Sequence, residues 1–127
     1  MLGFRGYIFS RKIDSNFIPQ RVQNLVIKDY CERNNLFFKL SATEYKMNNC
    51  YLMFNTLIQK LKKIDGIVFY SLFMLPEIKN DRLKIYKKII HNKKQLHFSL
   101  EEIKLVNEVD IKKIESIYQI KSNSKKL

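Results

Sequence analysis

The stretch Gly-Tyr-Ile-Phe-Ser-Arg, residues 6–11, predicts a β-strand that runs directly into polar side chains. Aromatic and β-branched residues favour strands, and we therefore predict the first strand over residues 4–10. A polar loop follows, and Pro19 suits the first turn of a helix, where no N–H is needed. Apolar residues then recur at helical spacing from Val22 to Tyr30. The chain is thus expected to open with a β-α unit.

The same alternation of strand and helix continues along the chain. The run Ile67-Val68-Phe69-Tyr70 is apolar throughout, which is typical of a strand buried on both faces. Strands that alternate with helices favour a mostly parallel sheet covered by helices on both sides. The further predicted elements, in chain order, are a strand at 36–40, a helix whose apolar face spans 50–64, a strand at 67–70, a helix at 80–94, a strand at 96–100, a short edge strand at 103–106 and a helix with inward residues at 111–118.

These elements predict an α/β fold class, a three-layer sandwich with a mostly parallel sheet of four to five strands. The expected strand order is 2-1-3-4, which is flavodoxin-like, with the short fifth strand at an edge. Residues 1–120 are predicted to form a single α/β domain, and residues 121–127 a polar C-terminal tail. Asn48 or Asn49 is expected to cap the second helix, and Asn80 the third.

The composition excludes several classes of protein. The chain has 127 residues, 46% of them hydrophobic, which is enough for one packed domain. It has no run of about 18 apolar residues that would predict a membrane span. Residues 1–6 lack the layout of a signal peptide, so we expect a cytoplasmic protein. The two cysteines are expected to be reduced thiols, and no two Cys or His residues have metal-ligand spacing, so neither a metal nor a cofactor is predicted.

The chain is strongly basic, with 24 Lys and Arg against 12 Asp and Glu and a net charge of +12. Such a charge invites a nucleic-acid partner. The excess is nevertheless diffuse, because residues 1–59 carry 8 bases and 4 acids while residues 60–127 carry 16 and 8. Only 5 of the 24 bases are arginine, the residue that forks onto phosphate. A solvated lysine surface is therefore favoured over a dedicated polyanion site.

Polar side chains follow each parallel strand, and the carboxyl ends of such strands meet at one edge, where open α/β sheets bind ligands. No histidine is expected at this edge, so a serine-hydrolase triad is disfavoured. The alternative is that these residues are ordinary solvated loop residues. Ser10 and Glu44 are the candidates for hydroxyl chemistry and proton transfer, and the candidates for binding an anion or polar ligand are Arg11, Gln20, Arg21, Thr43, Ser71 and Glu101.

Several segments, in this order, resemble a known family: 6–11, 18–31, 40–45, 64–76 and 96–101. The family is that of the bacterial sporadic carbohydrate cluster proteins, and the resemblance covers about residues 3–118. It implies a role in gene clusters that make surface polysaccharide or lipopolysaccharide, with no established reaction. It also implies a sugar or sugar-nucleotide ligand and carbohydrate-pathway enzymes as partners.

The layout more distantly resembles the catalytic domain of serine recombinases, the resolvases and invertases, whose first strand reads Tyr-x-Arg-x-Ser. Here Phe9 stands where the motif's arginine belongs, Arg11 stands where its serine belongs, and Ser10 comes one residue early. Phe73 and Pro76 stand near the positions of later arginines. Recombinase chemistry uses several arginines to stabilise a pentavalent phosphate. The resemblance therefore implies the fold and not DNA cleavage.

Two functional hypotheses follow. The leading one is a cytoplasmic protein of surface-carbohydrate biosynthesis, either a small enzyme or an accessory subunit, that binds an activated sugar or another anion at the carboxyl edge. The alternative is a catalytically inert, resolvase-like module that binds nucleic acid or another protein. Nucleic acid is the less favoured partner, and a homodimer is an alternative that the sequence leaves open.

Overall fold

The computed structural model describes residues 1–124 of the chain. Strands and helices alternate from the first strand to the fourth. The elements are β1 Phe4–Ile8, α1 Gln20–Arg33, β2 Phe38–Thr43, α2 Leu52–Gln59, β3 Gly66–Phe69, α3 Lys79–His91, β4 Gln95–Phe98, β5 Ile103–Leu105 and α4 Glu108–Ser124, with 3-10 turns at Leu61–Lys63 and Leu72–Met74.

The five strands form one sheet in the order β2-β1-β3-β4-β5. The first four run parallel, and β5 pairs antiparallel with β4 at the edge. This order confirms the predicted α/β class and the predicted order 2-1-3-4 with a fifth edge strand. The carboxyl ends of β1, β2, β3 and β4 consequently share one edge of the sheet, and their amino ends share the other.

The core lies on both faces of the central strands. All four residues of β3 are buried, as their uninterrupted apolar run predicts. Gly66 has no space for a side chain, because a Cβ there would lie 2.1 Å from the carbonyl oxygen of Gln95. A glycine at this position therefore lets β3 and β4 approach closely at their amino ends.

The edge strand β2 begins at Phe38, two residues later than predicted. The amide of Leu36 donates to the carbonyl of Cys31 at 2.8 Å, so the chain is still closing the end of α1 at that point. A bulge then places two β2 residues opposite Arg5, whose Nε donates to the carbonyl of Leu40 at 2.7 Å. The guanidinium thus satisfies a carbonyl on the edge strand that the bulge displaces.

Helix α2 begins at Leu52, after Cys50, and the cap predicted at Asn48 or Asn49 is wrong. Asn49 lies in the left-handed region at φ 58°, within the loop. The amides of Met53 and Phe54 instead donate to the carboxylate of Glu44 at 3.1 Å each. A side chain remote in sequence therefore does the work of the N-cap.

The start of α3 and the end of α4 also differ from those expected from the sequence. Helix α3 begins at Lys79, so Asn80 lies inside its first turn and is not its cap. Helix α4 continues to Ser124, and residues 125–127 of the predicted tail lie outside the described residues. Within the described part of the chain, no helix combines the length and apolarity needed to cross a membrane.

Candidate functional site

Phe9, Ser10 and Arg11 form a corner directly after β1, which we call the β1 corner. The side chain of Gln23 fixes this corner, because it hydrogen-bonds both the amide and the carbonyl of Phe9. Gln23 is fully buried in α1. Its Oε1 accepts from the amide of Phe9 at 2.9 Å, and its Nε2 donates to the carbonyls of Phe9 and Ile18 at 2.8 and 2.9 Å. These bonds supply Phe9 with the partners that a neighbouring strand would otherwise provide.

Arg11 holds the loop that follows β2. Its guanidinium donates to the carbonyls of Tyr45, Met47 and Cys50 at 2.9–3.2 Å. The same group stacks over the ring of Phe9, with Cζ 3.9 Å from the ring centroid. Arg11, which was predicted to bind an anion, therefore lies at the expected edge of the sheet, and its guanidinium binds main-chain oxygens there.

Ser10 and Glu44, each predicted as a catalytic residue, are brought together at this corner. The Ser10 hydroxyl donates to the main-chain carbonyl of Glu44 at 2.9 Å, and not to its carboxylate. The main-chain amide of Glu44 donates in turn to the carbonyl of Ile8 at 3.0 Å, which extends the pairing of β1 with β2. Hydrogen bonds of these two residues thus connect the carboxyl ends of β1 and β2.

The carboxylate of Glu44 is buried and binds several donors. Oε1 accepts from the hydroxyl of Tyr7 at 2.7 Å and from the amide of Phe54. Oε2 accepts from the amides of Tyr45 and Met53, at 3.0 and 3.1 Å. Burial raises the pKa of Glu44, but the bonds from Tyr7 and the three amides outweigh it, and the pKa lies below its usual value. Glu44 is therefore held as a carboxylate.

Ser71 and Glu101 form a second tie at the same edge, between the end of β3 and the turn after β4. The Ser71 hydroxyl donates to Oε2 of Glu101 at 2.7 Å, and the amide of Leu72 donates to Oε1 at 2.9 Å. Ser71 also accepts from the amide of Phe73 at 3.2 Å. These two predicted ligand residues meet each other and cap the 3-10 turn that follows β3.

The remaining predicted residues, Gln20, Arg21 and Thr43, are all exposed. Gln20 and Arg21 lie in the first turn of α1, and Thr43 is the last residue of β2. They share the carboxyl edge with Ser10 and Arg11 but do not line the cleft that opens beside them.

This cleft has a volume of about 1040 Å³ and lies directly over the β1 corner. The charged residues Lys12, Lys46, Asp14 and Glu77 line it, and both lysines are exposed. Where the recombinase-like pattern would place arginines, the cleft has Phe9 and Phe73. Its aromatic wall consists of Phe9, Phe17, Tyr51, Phe73 and Tyr118.

Sequence reasoning missed a buried network between α3 and α4. Arg82 donates to both carboxylate oxygens of Glu115, at 2.8 and 2.9 Å, and Tyr86 donates to Oε2 at 2.6 Å. Burial raises the pKa of Glu115, but the bonds from Arg82 and Tyr86 outweigh it and leave the pKa below its usual value. The spacing of Arg82 and Tyr86, four residues apart on one helix face, is the only signal in the sequence.

His97 lies inside β4, as predicted, and is buried. Its Nδ1 is 2.6 Å from the hydroxyl of Tyr30, and its Nε2 is 2.8 Å from Oε1 of Gln95. Burial, assisted by the charge of Lys104, lowers the pKa of His97 to about 4. The ring is therefore neutral at pH 7. Within residues 1–124, no group of three His, Cys, Asp or Glu side chains is placed to hold a metal ion.

Two solved structures share the fold. The N-terminal catalytic domain of TP901-1 integrase aligns with a TM-score of 0.68 at 16% identity, over 96% of this chain and 97% of that chain. A resolvase family site-specific recombinase from Streptococcus pneumoniae aligns with a TM-score of 0.66 at 12% identity, over 97% of this chain and 91% of that chain. At these identities the likeness shows the fold, and it confirms the predicted resolvase-like architecture.

No protein-family model matches the sequence, and no curated protein gives a significant match. The resemblance to sporadic carbohydrate cluster proteins therefore finds no support in these comparisons, whereas the recombinase-like fold does.

Proposed function

We propose that the protein is a resolvase-like module that binds nucleic acid without breaking its phosphodiester chain. Three findings support this proposal: the fold shared with two recombinases, the net charge of +12, and the hydrogen bonding of the β1 corner. The corner carries the greatest weight. Ser10 and Arg11, the hydroxyl and the cation nearest the recombinase-like position, donate to main-chain carbonyls between residues 44 and 50.

The absence of strand cleavage follows from what phosphoryl chemistry requires. A serine nucleophile needs a base, and the nearby Glu44 carboxylate already accepts from Tyr7 and three amides. A pentavalent phosphate also needs convergent guanidinium groups. Four of the five arginines bind groups of the protein itself: Arg5, Arg11, Arg33 and Arg82. Binding without cleavage is therefore the activity that this arrangement supports.

Fluorescence anisotropy with a labelled 20-base-pair DNA duplex tests the binding. We expect affinity to fall steeply between 50 and 200 mM KCl, with a log–log slope of about −4.5 if five phosphates are contacted. A slope shallower than about −2, or no binding at 50 mM KCl, would overturn the proposal. Incubation with supercoiled plasmid should leave it supercoiled, and nicked product would show that cleavage occurs.

A second candidate function is the binding of a small anionic ligand, such as a sugar nucleotide, in the cleft over the β1 corner. It is favoured by one observation, the combination of Lys12 and Lys46 with an aromatic wall. The roles predicted for Ser10, Glu44, Arg11 and the other edge residues in a carbohydrate pathway remain predictions.

Calorimetry with UDP-glucose and free UDP tests this candidate. Lys12→Gln with Lys46→Gln should weaken binding about tenfold or more, because two cations near a phosphate are removed. Arg21→Gln, which alters a cation outside the cleft, is the control. No heat of binding with either ligand would rule out this candidate for uridine nucleotides.

A further inference from the structure

We infer that the amino edge of the sheet, opposite the β1 corner, is the surface that contacts the phosphate backbone of nucleic acid. This inference rests on the proposed function. The surface consists of the amino-edge lysines, Lys60, Lys62, Lys63, Lys93 and Lys94.

The topology brings these lysines together. Residues 60–63 lead into β3, and residues 93–94 lead into β4. The two strands are parallel neighbours, with Gly66 paired to Gln95 at their amino ends. Asp65 links the loops that precede β3 and β4, because its carbonyl oxygen accepts a hydrogen bond from the amide of Gln95 at 3.2 Å. Two lysine-bearing loops therefore lie side by side.

Ion pairs within the described residues do not neutralise the positive charge of this surface. None of the five ammonium groups makes an ion pair with any residue of the described chain. The single acid within residues 60–65 and 91–95 is Asp65, whose Oδ2 accepts from the amide of Gly3 at 2.7 Å. By contrast, the lining of the cleft at the opposite edge includes two acids, Asp14 and Glu77, besides its cations. The amino edge is thus the stronger attractor for a polyanion.

The end of α3 does not by itself explain Lys93 and Lys94. Cations in a last helical turn stabilise the C-terminal carbonyls, and α3 already has Lys88 and His91 there. Lys93 lies beyond the helix in the left-handed region, at φ 57°, where glycine or asparagine is the usual residue. The lysine at this position adds positive charge to the surface, whereas the conformation of the turn would favour glycine or asparagine.

The surroundings favour nucleic acid over a membrane. The apolar residues within these two loops and at the start of the strands, Leu61, Ile64 and Leu96, are buried, so the loops themselves present no apolar side chain for insertion into lipid. Lysine is a flexible point charge and does not fork onto base edges. The surface is therefore suited to the phosphate backbone, with little preference for base sequence.

Two variants with the same net charge test the location of the surface. The amino-edge variant replaces Lys60, Lys62, Lys63, Lys93 and Lys94 with Gln. The control variant replaces five exposed helix lysines with Gln: Lys79, Lys84, Lys87, Lys112 and Lys113. Each change lowers the net charge from +12 to +7. Because the two variants match in total charge, any difference between them reports where the charge lies.

Anisotropy with the 20-base-pair duplex between 50 and 200 mM KCl provides the measurement. We expect the amino-edge variant to bind at least about tenfold more weakly and the magnitude of its salt slope to fall by about 4.5. The control variant should lose less than about threefold. Equal losses in both variants, or a larger loss in the control, would overturn the inference and leave the proposed function standing. If the unmodified protein does not bind, the proposed function itself fails.

Two further measurements keep the inference falsifiable. Replacement of the same five lysines with Arg should preserve binding, because the charges remain, and a loss similar to that of the Gln variant would overturn the inference. If the fivefold Gln variant does not fold, Lys62→Gln with Lys94→Gln should still reduce the slope by about 2. Tighter binding to phosphatidylserine vesicles than to DNA would show that lipid is the partner and would overturn the inference.

Discussion

The phenol of Tyr7 donates a 2.7 Å hydrogen bond to the carboxylate of Glu44, and both side chains are buried. Tyr7 belongs to β1, and Glu44 directly follows β2. The same carboxylate accepts from the first amides of α2. One charged side chain thus fixes two strands and a helix at the carboxyl edge of the sheet.

Tyr7→Phe should lower the free energy of unfolding by about 2 kcal/mol, because a buried carboxylate loses a charge-assisted donor. Urea unfolding at pH 7 measures this change. Tyr51→Phe is the matched control, since the hydroxyl of Tyr51 donates at 2.8 Å to the neutral carbonyl of Met74 and should cost about 1 kcal/mol. Equal costs for the two variants would contradict a special role for the Glu44 carboxylate.

Glu44→Gln should destabilise the protein by about 2–3 kcal/mol at pH 7, because an amide cannot accept from every donor that the carboxylate binds. The folded-state pKa of Glu44 lies below its usual value, so its stabilisation is complete above about pH 4.5 and is lost as the pH falls through the folded pKa. The difference between variant and unmodified protein should therefore narrow below pH 4.5. Exposed Glu32→Gln is the control, and a pH-independent difference would contradict the prediction.

The fold could be predicted from local patterns, and the reason is visible in β3 and α1. An uninterrupted apolar run at 67–70 requires burial on both faces, and the alternation with helices requires parallel crossovers. The edge strand β2 was misplaced because its start depends on a bond between Leu36 and Cys31 that closes α1. Such closures depend on local geometry that residue types do not specify.

The sequence predicted where the candidate site lies, but it did not predict what the side chains of the site bind. Position at a strand end indicated Ser10, Arg11 and Glu44 correctly as edge residues. Their bonds to the main chain of residues 44–54 depend on how two loops fold over each other, which spacing does not encode. Gln23 was missed because a glutamine among helical residues resembles a solvated one, although it shares a helix face with buried Ile27.

His97 should make the protein less stable as the pH falls from 6.5 towards 4. Its folded-state pKa of about 4 lies below the ordinary value of 6.5, so in this window the unfolded chain binds a proton that the folded protein does not. The free energy of unfolding should fall by about 3 kcal/mol across the window. Urea unfolding of His97→Leu should show a shallower pH dependence, with exposed His91→Leu as the control. An unchanged dependence in His97→Leu would contradict the assignment.

Glu115→Ala should destabilise the protein by about 3–5 kcal/mol, because it leaves the buried guanidinium of Arg82 without its carboxylate. Thermal or urea unfolding measures the loss. Glu102→Ala removes a carboxylate that pairs with Arg33 at an exposed position, and it should have little effect. A small loss for Glu115→Ala would indicate that water reaches the α3–α4 network.

Arg11→Met should loosen the loop after β2, because three carbonyls of that loop lose their shared donor. The thiol of Cys50 reports on this loop, since Arg11 binds the carbonyl of the same residue at 2.9 Å. Its reaction with a disulfide reagent at pH 8 should accelerate by at least about tenfold, the factor that about 1.4 kcal/mol of local stability represents. Cys31 is an internal control, because it is buried and its pKa is raised to about 11. Arg11→Lys should give an intermediate rate, since an ammonium lacks the guanidinium fork. A rate for Arg11→Met equal to that of the unmodified protein would show that the loop is held by other contacts.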